Sequence, residues 1–347
     1  MRPVSSGVCT GYIKPKYRAI SAFLGDGFEP KHGLDVFIDF NTLITSLSTY
    51  QKYMNNLPFT EHADVDIISS ILSTFKHWKD FTRKWDNVHI IGFVNDFHMD
   101  GLVERSQLKS YLIPYINKFS QERFKQLTYY WGEAVKVVEK ILKYVPGMYL
   151  IRCERFDSYI IPNLLDDYDK SNRHRIIVSG NPLMTNYHYF DNTTIIYSRF
   201  NHNGMSQLSD PLMIVQSFTK IDDDIMDEFT KNHVFYNLLN AIIGDFERGL
   251  IGLPQASITS IACGLLRAIE KHDIPEDPKS IESVLPAIDK SFHEYLKQVY
   301  PLVDIKLHTE MVPQSQLEKI KSQMIDLYDV DSLNAIMIDG MNLLELL

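Results

Sequence analysis

The chain has 347 residues, 45% of them hydrophobic, with 35 Lys and Arg against 44 Asp and Glu, enough to bury one large core or two modest ones. No apolar stretch approaches the ~20 residues of a membrane helix, and residues 1–30 lack the apolar core of a signal peptide. Cys9, Cys153 and Cys263 are far apart and form no CxxC pair, so the composition predicts an intracellular protein with reduced thiols, neither secreted nor membrane-bound. The net charge of -9 argues against nonspecific coating of nucleic acid, which needs a surplus of Lys and Arg on one face. It leaves room for a nuclease, because a carboxylate metal site is itself acidic and a binding groove stays basic on an acidic protein.

From Met1 to Gly33 the glycines and prolines punctuate a segment without periodicity, which reads as an extended arm. Leu34 to Phe40 (LDVFIDF) is an apolar run of the kind found in buried parallel strands. Helical segments follow over Thr42–Tyr53 and Asp64–Lys84, then a second strand over Val88–Val94. Leu108–Leu142 has helical spacing interrupted at Pro114 and Gly132, and Met148–Arg152 is a third strand. A helix over Phe156–Leu165, a polar turn from Asp166 to Arg173 and strands over Arg175–Ser179 and Thr193–Tyr197 complete the alternation. This order predicts an α/β fold, a mostly parallel sheet flanked by helices. Pro211–Leu347 has helical periodicity and little strand character, so the expected division is an arm (1–33), a sheet domain (34–210) and a helical domain (211–347).

In an open parallel sheet the functional crevice lies at the carboxyl ends of the strands. Asp39, Asp96, Glu154 and Asp157 fall there. A lone acid at such a place is usually a helix cap or a solvated loop residue. Four together suit a hard divalent cation, and Glu154 and Asp157, three apart at a helix start, share one face. A cation so held polarises phosphoryl oxygens and activates water, the basis of phosphodiester hydrolysis.

The order of VFIDF, YINKFSQERFKQ, LKYVPGMYLIRCERFDSYI, RIIVSGNPL and IIGDFERGLIGLP, over roughly Leu34 to Ala268, resembles the flap endonuclease and 5'-to-3' exonuclease (PIN-like) superfamily of the phage ribonuclease H type. The resemblance implies Asp39, Glu154 and Asp157 as catalytic residues, Asp39, Asp96, Glu154, Asp157 and Asp245 as metal ligands, Mg2+ as cofactor and DNA or RNA:DNA as substrate. It also exposes departures. Asn181 and Leu183 stand where the family carries two acids after its IVSG strand, and Arg248 and Gly249 replace the second acid and the Asn of its GDxxDN element. A pair of metals ~4 Å apart needs several carboxylates to offset its charge, so the expected metal site is degenerate, with one Mg2+ at most.

The resemblance further assigns Lys118, Arg123 and Lys125, interleaved with Tyr and Phe, to an arch over single strands, where bases stack and cations track phosphates; the alternative is an amphipathic helix with a solvated basic face. Gly244, Gly249 and Gly252 fall in a helix-three-turn-helix-like element that holds duplex phosphates in the family, although its phosphate-binding Lys is absent here. Asp222, Asp223 and Asp224 read either as a divalent-ion site or as a solvated helix start. Ile325–Leu347 combines Leu, Ile and Met with acids and has no Lys or Arg, which suits either a last helix closing the core or a segment docking on a protein partner. Three functions follow: an impaired nuclease-like component of replication, transcription or virion machinery, an active Mg2+-dependent 5' nuclease, or an assembly subunit reusing the fold.

Overall fold

The computed structural model describes residues 24, 27–41, 63–95, 121–153, 158–168, 172–201, 204–209, 232–245, 250–253 and 255–325. Five parallel strands build the sheet: β1 (Leu34–Asp39), β2 (Val88–Asn95), β3 (Met148–Cys153), β4 (His174–Ser179) and β5 (Thr193–Asn201), with β6 (Gly204–Ser209) antiparallel on β5. The order is β3-β2-β1-β4-β5-β6, so β1 is central and β3 forms an edge. Every residue of β1 is buried, as expected of a largely apolar strand covered on both faces. The predicted strands 34–40, 88–94, 148–152, 175–179 and 193–197 are all present. β6 was not predicted, because GMSQLS lacks the branched and aromatic residues that mark a strand.

Successive residues of β1 serve opposite faces. Val36 and Ile38 join a core under two helices, α1 (Ala63–Thr82) and α2 (Gln121–Leu142), which pack against each other. Ile67, Ile71, Phe75 and Trp78 on α1, and Trp131, Val135, Val138 and Leu142 on α2, recur at helical spacing and form the inward stripes. The expected break at Gly132 does not occur: α2 runs through it, and a Cβ there would meet nothing within 4 Å, so the glycine costs only its helix propensity of ~1 kcal/mol. Gly92 of β2 is different, since a Cβ would come within 2.6 Å of the Phe40 ring and 2.7 Å of Phe75.

Phe37, Ile91, Phe93, Ile151 and Ile177 face the other side. There they meet Tyr159 and Ile160 of a 3-10 turn (Ser158–Ile160), Leu164 of α3 (Ile161–Tyr168) and Tyr187 of a long 3-10 segment (Pro182–Tyr189). Ile305, Val312 and Ile320, from the end of the described chain, complete this layer.

The remainder is helical: α4 (His233–Ile243), α5 (Gln255–Glu270), α6 (His293–Val303), α7 (Ile305–Met311) and α8 (Gln314–Ile325). α4, α5, α6 and intervening 3-10 turns enclose a separate apolar core. A polar seam joins α4 to the sheet layer: Asn237 Nδ2 donates to Asp304 Oδ2 at 2.6 Å, Asn186 Nδ2 donates to the Val303 carbonyl at 2.7 Å, and Asn240 donates to Asn186. Asp304 also caps α7 by accepting from Leu307 N at 3.0 Å.

Candidate active-site crevice

β1, β2, β3 and β4 end on the same side of the sheet, and there, among the described residues, amides and hydroxyls surround Asp39. Asp39, the last residue of β1, is 2% exposed. Its Oδ1 accepts from Asn41 N at 3.0 Å and Asn41 Nδ2 at 2.8 Å, and its Oδ2 accepts from Ser179 Oγ, at the end of β4, at 2.6 Å, a distance in the range of charge-assisted bonds. Asn41 also donates to Ser158 Oγ at 2.8 Å, and its Oδ1 accepts from Asn95 N, at the end of β2, at 2.7 Å. Asn95 Oδ1 in turn accepts from Ser158 N at 3.0 Å. These partners fix the Asn41 amide: its nitrogen faces a carboxylate and its oxygen faces a backbone donor.

On the β4 side, Ser179 Oγ accepts from Asn181 N at 2.9 Å, and Asn181 Oδ1 accepts from Leu183 N at 2.9 Å, capping the 3-10 segment. One chain of hydrogen bonds thus runs from that cap through Asp39 and Asn41 to Asn95 and Ser158. Leu183 itself is 1% exposed and packs in the core around α4. The two positions where the resemblance leads to acids hold a buried cap and an apolar core residue.

The opposite end of the strands carries a charge cluster that the sequence reading missed. Asp35 (3% exposed) accepts from Arg173 Nε at 2.9 Å and Nη2 at 2.7 Å, and lies 2.9 Å from His89 Nδ1. Arg173 Nη2 also donates to the carbonyls of Leu34 at 3.0 Å and Asn87 at 2.8 Å. Burial raises the Asp35 pKa, but the hydrogen bonds from His89 and Arg173 and the Arg173 charge outweigh it, and the carboxyl sits below its ordinary 3.8. The signal was in the sequence: Asp35 and His89 interrupt apolar runs, and a polar group in a strand covered on both faces requires a partner. The crevice Asn and Ser residues gave a weaker signal, because they are also ordinary turn formers.

Among the predicted site residues, Asp39 is the last residue of β1, at the carboxyl end of the sheet. Asp96, Glu154, Asp157, Lys118 and Gly249 lie outside the described residues, as do Asp222, Asp223, Asp224 and residues 326–347. In sequence Asp96 follows Asn95, Glu154 follows Cys153 and Asp157 precedes Ser158. Arg123 and Lys125 lie on α2, and Asp245 pairs with Leu250 in a two-stranded ladder, β7 (Gly244–Asp245) and β8 (Leu250–Ile251). Gly244 ends α4 with φ +80°, a conformation glycine adopts without strain. Gly252 directly follows β8, three residues before Gln255, the first residue of α5. Among the described residues no three His, Cys, Asp or Glu side chains gather as a metal cluster.

No protein-family model matches the chain, and no curated protein sequence matches it. Among solved structures it is similar to the T5 D15 protein co-crystallised with metal ions, at 18% identity and a TM-score of 0.48, with 85% of this chain and 99% of that chain covered.

Proposed function

We propose that this chain is a divergent flap-endonuclease-like protein whose crevice has lost efficient metal-dependent cleavage and which acts as a nucleic-acid-associated or protein-docking component. The observation that carries the reading is the set of amides and hydroxyls that, among the described residues, bonds Asp39. Its oxygens accept from Asn41 and Ser179, whereas two divalent cations need several carboxylates with lone pairs turned toward the metals. The described donor set therefore does not fit a two-metal centre. Leu183 lies in an apolar core, where a carboxylate carries a heavy desolvation cost.

A second reading, an active 5' nuclease with a single Mg2+, is favoured by the position of Glu154 and Asp157 in the chain. They lie between Cys153, the end of β3, and Ser158, which is bonded to Asn41 and Asn95. The test is incubation of a 5'-flap DNA and an RNA:DNA hybrid with the protein in Mg2+ or Mn2+, beside Asp39→Ala. The proposal expects no cleavage above the level of that variant. Robust cleavage abolished by Asp39→Ala overturns it and establishes the single-metal nuclease.

A further inference from the structure

α1 and α2 lie side by side on one face of the sheet, and each leads into one of two neighbouring parallel strands, α1 into β2 and α2 into β3. Their C-terminal ends therefore stand together at the amino-terminal edge of the sheet, opposite the crevice. The turn after α2 touches the start of β2: Ile90 N donates to the Gly147 carbonyl at 2.7 Å, and a Cβ on Gly147 would come within 3.0 Å of the Val88 carbonyl.

At that end the side of each helix turned away from the core is basic. Lys76 and Lys79 on α1 and Arg83 just after it recur at helical spacing, and Lys140 on α2 and Lys143 just after it do the same. Lys84 adds a sixth cation, held over the Trp85 ring at 4.3 Å from its centre. All but half-buried Lys79 are exposed, and among the described residues none of the six pairs with an acid. The acids of α2 are engaged elsewhere, Glu133 with Lys136 at 2.7 Å and Glu139 at 3.5 Å from Arg152. Cations complement a helix C-terminus, whose partial charge is about -0.5, and Lys79 and Lys140 in the two last turns suffice for that. With Asp80 and Asp86 also counted, a surplus of about three positive charges remains on a chain of net charge -9.

The size of the patch narrows the partner. Lys76 to Arg83 spans ~10 Å along the helix, and packed helices stand ~8–10 Å apart, so the cations act as one field within a Debye length at ~0.1 M salt. That area matches about three or four residues of an extended peptide. A nucleic acid runs on beyond it, and its further phosphates meet a molecule that is acidic as a whole. Tyr144, 56% exposed next to Lys143, and Val137, 41% exposed one turn before Lys140, add apolar contacts among the cations.

We propose that this face docks a short acidic segment of a protein partner, with Asp and Glu on the six cations and an apolar residue on Tyr144 or Val137. Exposed charges of this kind give fast, salt-sensitive association. The face lies away from the crevice, so the inference does not depend on whether the crevice cleaves.

Fluorescence anisotropy of a labelled peptide of Asp, Glu and Leu, titrated with the full chain, tests it. Binding is expected at low salt, is expected to be lost at ~0.5 M salt, and is expected to be absent for the peptide with Asn and Gln in place of its acids. Lys140→Glu/Lys143→Glu is expected to weaken it at least ~10-fold, whereas Lys271→Glu/Lys297→Glu, which makes the same change of net charge at exposed sites of the helical core, is expected to leave it within ~2-fold. Lys76→Glu/Arg83→Glu repeats the first reversal on the other helix and carries the test should that variant misfold. Failure of the unaltered chain to bind the acidic peptide overturns the proposal, as does equal weakening by the reversals on both sides of the molecule. Tighter binding of an oligo-dT strand, lost in Lys140→Glu/Lys143→Glu, overturns it in favour of nucleic acid. A dimer in light scattering that the same variant abolishes overturns it in favour of a second copy.

Discussion

At Asp35 and Arg173 a charge is buried only because its partner is buried with it. Arg173→Leu leaves the Asp35 carboxyl without its main counter-charge and frees the Leu34 and Asn87 carbonyls, and is expected to cost about 3–5 kcal/mol at neutral pH. The sign of the pH dependence is fixed. The folded Asp35 pKa is below 3.8, so its contribution is present above the unfolded value and is lost as pH falls through the lower folded one. In Arg173→Leu, burial instead penalises the ionised form. The gap between the two proteins in urea unfolding is therefore expected to be wide at pH 7 and to narrow below about pH 4. The crevice allows a paired comparison. Asn181→Asp keeps an oxygen that caps the 3-10 segment but buries a second carboxylate one hydroxyl away from Asp39, and is expected to lower Tm less than Leu183→Asp, which places a carboxylate in the α4 core with no cap to make and is expected to cost more than ~3 kcal/mol. Equal tolerance of both, measured by thermal melting, refutes the assignment of Leu183 to the core. Asp39 was legible because it ends an apolar strand. Arg173 was not, since it closes a polar turn and its partner is 138 residues away.

The strands were the most legible elements, because parallel strands covered on both faces require continuous branched and aromatic runs. Gly132, a poor helix former, predicts a break in α2, and the packing of Trp131, Val135 and Val138 overrides that penalty. The polar seam was invisible in the sequence, since its Asn residues lie on helices and bond residues far along the chain. Asp304 performs two tasks there, capping α7 and accepting from Asn237. Asp304→Ala removes the cap and strands a buried amide, with an expected loss of about 2–3 kcal/mol. Asp304→Asn keeps an oxygen for the cap and is expected to recover part of that loss; chemical denaturation of the pair checks both.

Across the whole molecule, mild acid is expected to destabilise the fold before the carboxylates titrate. Burial, reinforced by the Arg175 charge, lowers the His174 pKa from 6.5 to about 4, and burial also lowers that of His77. A histidine whose folded pKa is depressed stays neutral while the unfolded chain takes up its proton. Stability therefore falls as pH drops from 6.5 toward about 4. His174 contributes a slope of at most ~1.4 kcal/mol per pH unit, reduced by solvent at its half-buried ring. His174→Gln, which retains a polar partner for Thr194, is expected to flatten the pH dependence of Tm over that interval. An unchanged slope refutes the assignment.

The position of Ile305, Val312 and Ile320 under the sheet has a consequence for biosynthesis. Phe37, Ile91, Phe93, Ile151 and Ile177 belong to strands complete by Ser179, yet the residues that finish covering them come from the end of the described chain. At roughly 5–20 residues per second a ribosome takes about 6–24 s to pass from Asn201 to Ile320. During that interval the nascent sheet presents a partly uncovered aromatic and aliphatic surface, a substrate for chaperones and a seed for aggregation. A ribosome stalled before α7 would hold a chain with its strands already made and one face still open.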